Sequence, residues 1–127
     1  SLIVSDPSGQ YEAYFTRNKV SLPENILLLS YPHNFNAVLD FADCFIRNTT
    51  TDGDSLSVHE ALFKGVGAIC SNVVDRPNGA IVYGSFDELC SCVREYGRRK
   101  SRVSEQYEQP EAAKELVQLY KLLAQGK

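Results

Sequence analysis

Apolar residues along this chain follow two habits. Some stand in continuous runs of three or four, and others recur every three or four positions. The first habit marks buried strands and the second amphipathic helices. Leu2-Ile3-Val4 reads as a strand, broken by the turn signal Asp6-Pro7-Ser8-Gly9, and Gln10 to about Asn18 reads as a helix. Ile26 to Leu29 is a second strand, followed by a short helix from Asn34 to Phe41 with Phe35, Val38, Leu39 and Ala42 on one side. Cys44-Phe45-Ile46 is the third strand, Ala68-Ile69-Cys70 the fourth and Ala80-Ile81-Val82-Tyr83 the fifth. A helix begins near Leu56, and another runs from Phe86 to about Tyr96 with Leu89, Val93 and Tyr96 at helical spacing. A terminal helix is predicted over Pro110 to Ala124, opened by proline and carrying Leu116, Leu119, Tyr120 and Leu123 on its apolar face.

Apolar strands separated by helices predict a parallel sheet covered on both faces, in an α/β domain spanning residues 1–127. Right-handed crossovers restrict the topology, and a Rossmann-like, doubly wound sheet of five strands in the order 2-1-3-4-5 is expected. Such sheets bind ligands beyond the carboxyl ends of their strands, near the reversal of strand order. The expected site loops are therefore Ser5 to Gly9, Ser30 to Phe35 and Arg47 to Ser55.

Composition removes several alternatives. The formal net charge of −3 argues against a nucleic-acid partner, which calls for a basic footprint. No apolar run approaches the ~20 residues needed to cross a bilayer. The start, Ser1-Leu2-Ile3-Val4-Ser5-Asp6-Pro7, has no signal-peptide core, so a cytoplasmic location is expected. Cys44, Cys70, Cys90 and Cys92 have no zinc-ligand spacing and read as buried free thiols.

The segment from Thr49 to Gly65 holds the densest chemistry. Asp54 or Ser55 can cap the helix that follows, and Ser57 with Glu60 fits a capping box. Val58, Ala61, Leu62 and Gly65 should face the sheet, and Glu60 can pair with Lys64 one turn on. That account needs no ligand. A second account uses the same residues. A helix N-terminus suits a diphosphate, Gly53 lets backbone approach closely, and a carboxylate one turn into the helix can hold a vicinal diol such as ribose.

The residues here carry a resemblance. Asp52, seven residues, then Glu60-Ala61-Leu62 resembles the acid-x7-acid signature of GT-B glycosyltransferases of the family 4 (group 1) type, where the first acid is usually Glu. Phe41 to Arg47 is similar to the strand before that signature. Gly65-Val66-Gly67-Ala68-Ile69-Cys70-Ser71 is similar to the run after it, with Gly67 where proline is commoner. Asp75-Arg76-Pro77-Asn78-Gly79 resembles a loop of some of these enzymes, and Leu2 to Asp6 resembles a strand near the start of the same domain. The resemblance covers roughly Leu2 to Val93. It implies the donor half of a retaining hexosyltransferase that acts on a saccharide or lipid-linked acceptor, the N-terminal acceptor domain being absent and this chain alone inactive. By motif, Asp52 would contact the donor sugar and Glu60 the ribose. Thr49, Gly53, Ser55 and Leu56 would meet the diphosphate. Ser30 to Phe35 would lie near the base. The resemblance implies a nucleotide-diphospho-sugar substrate and no metal or other cofactor, and it assigns no residue to catalysis itself.

Other features admit plainer readings. Arg98-Arg99-Lys100 with Arg102 is either a solvated helix end or a contact with anionic lipid head groups at the inner membrane face. His33 lines the site or sits on a surface loop, and His59 is expected to be exposed. A flavodoxin-like or receiver-like binding module would use the same sheet without enzymatic chemistry. Against a receiver, Arg47-Asn48-Thr49 stands where its phosphoacceptor aspartate belongs.

Overall fold

The computed structural model describes residues 1–98 together with Gln118 and Lys121. The chain is α/β, and all strand pairs among the described residues are parallel. The strands form one sheet of two, β1 (Leu2–Ser5) and β2 (Ile26–Leu29), and one of three, β3 (Cys44–Arg47), β4 (Gly67–Ser71) and β5 (Ile81–Tyr83). Within residues 1–98 the helices are α1 (Gln10–Asn18), α2 (Phe35–Phe41), α3 (Leu56–Phe63) and α4 (Phe86–Arg98). These bounds lie within two residues of the sequence reading. Two compact units divide the chain, Ser1–Val38 and Leu39–Lys127, with the boundary inside α2.

In the first unit, β1 and β2 pair in register from Leu2 opposite Ile26 to Ser5 opposite Leu29. Parallel strands need a crossover between them, and α1 supplies it. Asp6, only 3% exposed, fixes the turn into that helix. Its carboxylate accepts the amides of Gln10, Tyr11 and Glu12 and the hydroxyl of Ser8. Burial opposes its ionisation, but these four donors outweigh burial and hold its pKa below the usual value. The preceding turn passes through Gly9 at φ 69°, a left-handed conformation in which a side chain would be strained.

In the second unit, β4 is the central strand and is buried along its whole length. Its side chains alternate between two cores, as strand geometry requires. Ala68 and Cys70 pack with Val58 and Leu62 of α3, with Phe45 and Ala80 beside them. Ile69 packs on the other face with Tyr83 and with Leu89 and Tyr96 of α4. Helices thus cover both faces of this sheet, which explains why β4 reads as a continuous apolar run. Fully burying a side chain such as Val58 or Ile69 stabilises the fold by roughly 1.5–3 kcal/mol.

Gly67 opens β4 beneath the ring of Tyr96. Its amide donates to the Tyr96 hydroxyl at 3.1 Å, a buried bond between strand and helix. A Cβ at Gly67 would lie 2.3 Å from a ring carbon of Tyr96. The absence of a side chain at this position therefore has a packing cause within this protein.

All four cysteines are free; Cys70 is buried, and Cys44, Cys90 and Cys92 are half-buried. Burial, aided by Asp43 and Cys70, pushes the Cys44 thiol up to about 11, and burial likewise raises Cys70. At pH 8 only about one Cys44 in a thousand is then the reactive thiolate. Alkylation by iodoacetamide followed by peptide mapping is expected to modify Cys44 and Cys70 slowly until the chain is denatured. Fast modification of Cys44 in the native protein would contradict this environment.

Among the described residues no helix is long and apolar enough to cross a membrane. The helix expected over Pro110 to Ala124 lies outside the described residues except for Gln118 and Lys121, and of the basic cluster only Arg98 falls within them.

Candidate functional site

Parallel pairing brings the carboxyl ends of β3, β4 and β5 to one edge of the second unit. Side chains stitch that edge together. The Tyr83 hydroxyl donates to Asn48 Oδ1 at 2.8 Å, tying the end of β5 to the residue after β3. Ser71, the last residue of β4, donates to the Thr49 carbonyl at 2.9 Å and accepts the Thr49 amide at 3.4 Å. The loop between β3 and α3 therefore leaves the sheet in a fixed direction.

Asp52 is the hub of that loop, its side chain only 6% exposed. Arg47, at the end of β3, holds both carboxylate oxygens at 3.0 Å through Nε and Nη2. Arg76, from the loop after β4, donates from Nη1 at 2.8 Å. The Thr49 hydroxyl and the Gly53 amide add two more donors. Five donors meet two oxygens that offer about four lone-pair sites, so the carboxylate is saturated. The hydrogen bonds from Arg47 and then Arg76 hold the Asp52 carboxyl well below the usual carboxylate range, against the opposing effect of burial. The same bond raises the Arg47 pKa.

The two arginines differ in what remains of them. Arg76 is 2% exposed, and its other donors go to the Ser71 carbonyl at 2.8 Å and the Ser71 hydroxyl at 3.2 Å. Arg47 is 35% exposed, and no acceptor among the described residues meets its Nη1.

The α3 entrance departs from the capping expectation. Ser55 occupies the cap position in an extended conformation, yet no side chain caps the helix. The Ser55 and Ser57 hydroxyls bond each other at 2.9 Å, and Asp54 pairs with His59. Side-chain capping of this kind occurs at α4 instead. There Ser85 Oγ accepts the Glu88 amide at 3.2 Å and Glu88 accepts the Gly84 amide at 2.6 Å. The pattern Ser85-x-x-Glu88, to which the sequence reading gave no capping role, is the one whose side chains bond at a helix start.

The remaining expected residues are placed as follows. Glu60 is half-buried on α3. Lys64 reaches Asp40 of α2. Leu56 is 71% exposed at the first turn of α3, and a Cβ at Gly53 would meet nothing within 4 Å. His59 corrects the expectation of an exposed side chain, being 18% exposed and paired with Asp54. In the first unit, the loops after β1 and β2 meet through Ser5 Oγ and His33 Nε2 at 2.9 Å. His33 Nδ1 lies 2.6 Å from the Tyr31 carbonyl, which can only accept, so Nδ1 carries a hydrogen. That pair joins Ser5 and His33 from two of the expected site loops. An open groove of about 500 Å³ along α1 and β2, lined by Phe15, Val20, Leu22 and Leu28 among others, includes none of the expected site residues.

Three residues central to this edge, Arg47, Ser71 and Arg76, lie in segments that carry the resemblance but have no site role by motif. The signal for them was topological. Parallel strands bring 47 and 71 to one edge, and a buried aspartate in the loop between them calls for cationic partners. Among the described residues no group of three or more His, Cys, Asp or Glu side chains is arranged to hold a metal ion.

No protein-family model, curated protein or solved structure matches this chain.

Proposed function

We propose that this chain binds the nucleotide-diphospho-sugar donor of a retaining GT-B hexosyltransferase of the family 4 type. The observation that carries the reading is the α3 entrance. Its loop is anchored by Asp52 to the end of β3 and to the loop after β4, while the first turn of the helix has no side-chain cap. A rigid loop delivering uncapped amides and the positive end of a helix dipole suits a diphosphate. In this reading Thr49, Gly53, Ser55 and Leu56 frame the diphosphate, and Glu60, one turn further, receives the ribose hydroxyls. Asp52 reaches the sugar only if it releases one of its five donors, so its main contribution is to hold the loop. The wider fold belongs to the same proposal. The β1–β2 pair and the β3–β4–β5 sheet have the neighbour order of the two halves of a five-stranded 2-1-3-4-5 sheet. The acceptor, saccharide or lipid-linked, is met by an N-terminal domain.

Calorimetric titration of the chain with UDP, GDP and ADP tests the donor site, with the 2′-deoxy form of whichever binds as the second ligand. The wild type is expected to prefer the ribonucleotide. Glu60→Gln is expected to weaken ribonucleotide binding about tenfold, the scale of one hydrogen bond to a charged group, and to erase that preference. An unaltered preference in Glu60→Gln removes Glu60 from the ribose site. A purely structural α3 entrance, as in a non-enzymatic interaction module, predicts no nucleotide binding at all.

A further inference from the structure

We propose that Arg47 is the cation that receives the donor's diphosphate, an inference that rests on the donor-binding reading. The cluster at the sheet edge carries two guanidinium groups and one carboxylate, an excess of one positive charge. Asp52 is the one carboxylate among the described residues that bears electrostatically on Arg47. Arg76 is buried, and each of its nitrogens already has a protein acceptor. The excess charge is thus presented by Arg47.

Geometry makes Arg47 a prepared contact rather than a loose surface arginine. Its Nε and Nη2 are fixed on the Asp52 oxygens at 3.0 Å, which sets the plane of the guanidinium. Its Nη1 has no acceptor among the described residues, and its side chain is 35% exposed. An arginine held along one edge loses little further conformational freedom when an oxyanion meets the other. Phosphate oxygens match the remaining donors, whereas the hydroxyls of a neutral sugar gain much less from a charge. Arg47 also ends β3, the strand that feeds the loop proposed to frame the diphosphate. Asp52 then acts as a positioning residue, aiming Arg47 while it anchors the loop.

The test compares, by calorimetry, each nucleoside diphosphate with the monophosphate of the same base. Both ligands sample the same folded population, so their affinity ratio is insensitive to a loss of stability. In the wild type the diphosphate is expected to bind more tightly. In Arg47→Gln that preference is expected to shrink about tenfold or more, the scale of a charge-assisted contact. Arg47→Lys keeps a charge beside Asp52 but loses the fork, and an intermediate loss is expected. Since the probes carry no donor sugar, a change in the ratio assigns the contact to phosphate and not to an acidic donor sugar. Diphosphate binding with an unchanged ratio in both variants overturns the role of Arg47 and leaves the donor site standing. Failure of all three diphosphates to bind the wild type overturns the donor reading and this inference together.

Discussion

Asp52→Ala is expected to be among the most damaging single changes in this chain, lowering the stability of the second unit by about 3 kcal/mol. The reason is the partner left behind. Arg76 is 2% exposed, and without Asp52 its guanidinium would stay buried with an uncompensated charge. Removing one member of a buried pair typically costs about 3–5 kcal/mol; the lower end applies here because Arg47 is partly open to solvent. Chemical denaturation should show the loss as a lower midpoint with little change in slope. The pH dependence has a definite sign. Asp52 has its pKa depressed on folding, so its contribution is fully present above the unfolded carboxylate value of about 3.9. It is lost progressively as pH falls below that value toward the folded pKa. The wild type should therefore lose stability steeply on acidification, and Asp52→Asn should show a shallower acid limb. Asp6, also depressed, keeps some slope in the variant. Equal acid limbs in the two proteins would show that Asp52 is not ionically held.

Gly67→Ala is the second large effect. The new methyl group would lie 2.3–2.4 Å from Tyr96 ring atoms and its hydroxyl, far inside van der Waals contact. Tyr96 cannot retreat freely, because it is buried against Ile69, Tyr83 and Leu89 and accepts the Gly67 amide. Overpacking of this kind costs roughly 1–3 kcal/mol, and the lost hydrogen bond adds about 1 kcal/mol. Tyr96→Leu, which removes the clashing atoms, should be destabilising alone yet make Gly67→Ala much less harmful. Thermal unfolding of both single variants and the double variant measures this coupling. Strict additivity would mean that ring and glycine do not oppose each other.

The range of each interaction decides whether it is legible in the sequence. Strands and helices were legible because their signals are local. Ile26 to Leu29 is an apolar run and Gln10 to Asn18 an amphipathic one, and both have the bounds read from the chain. The candidate site was legible in place, since its motif falls on a loop at the carboxyl end of β3. Its internal bonding was not. Arg76 lies 24 positions from Asp52 and Ser71 lies 22 from Thr49, so their bonds arise from strand pairing rather than local pattern. Ser55 stands at the expected cap position, but the capping bonds were not legible for a related reason. Ser57-x-x-Glu60 and Ser85-x-x-Glu88 are identical as patterns, and only the chain path decides which serine stands at a helix start. Gly67 looked like a mere departure from a commoner proline until the Tyr96 ring, 29 positions away, gave it a packing reason.

The central claim is that the α3 entrance receives a nucleoside diphosphate. Amide NMR of the full chain, titrated with UDP, GDP and ADP, tests it most directly. One of the three is expected to produce saturable shifts concentrated from Arg47 to Glu60, with Leu56 and Ser57 among the largest. Shifts confined to other segments, or none with any of the three, would contradict the claim.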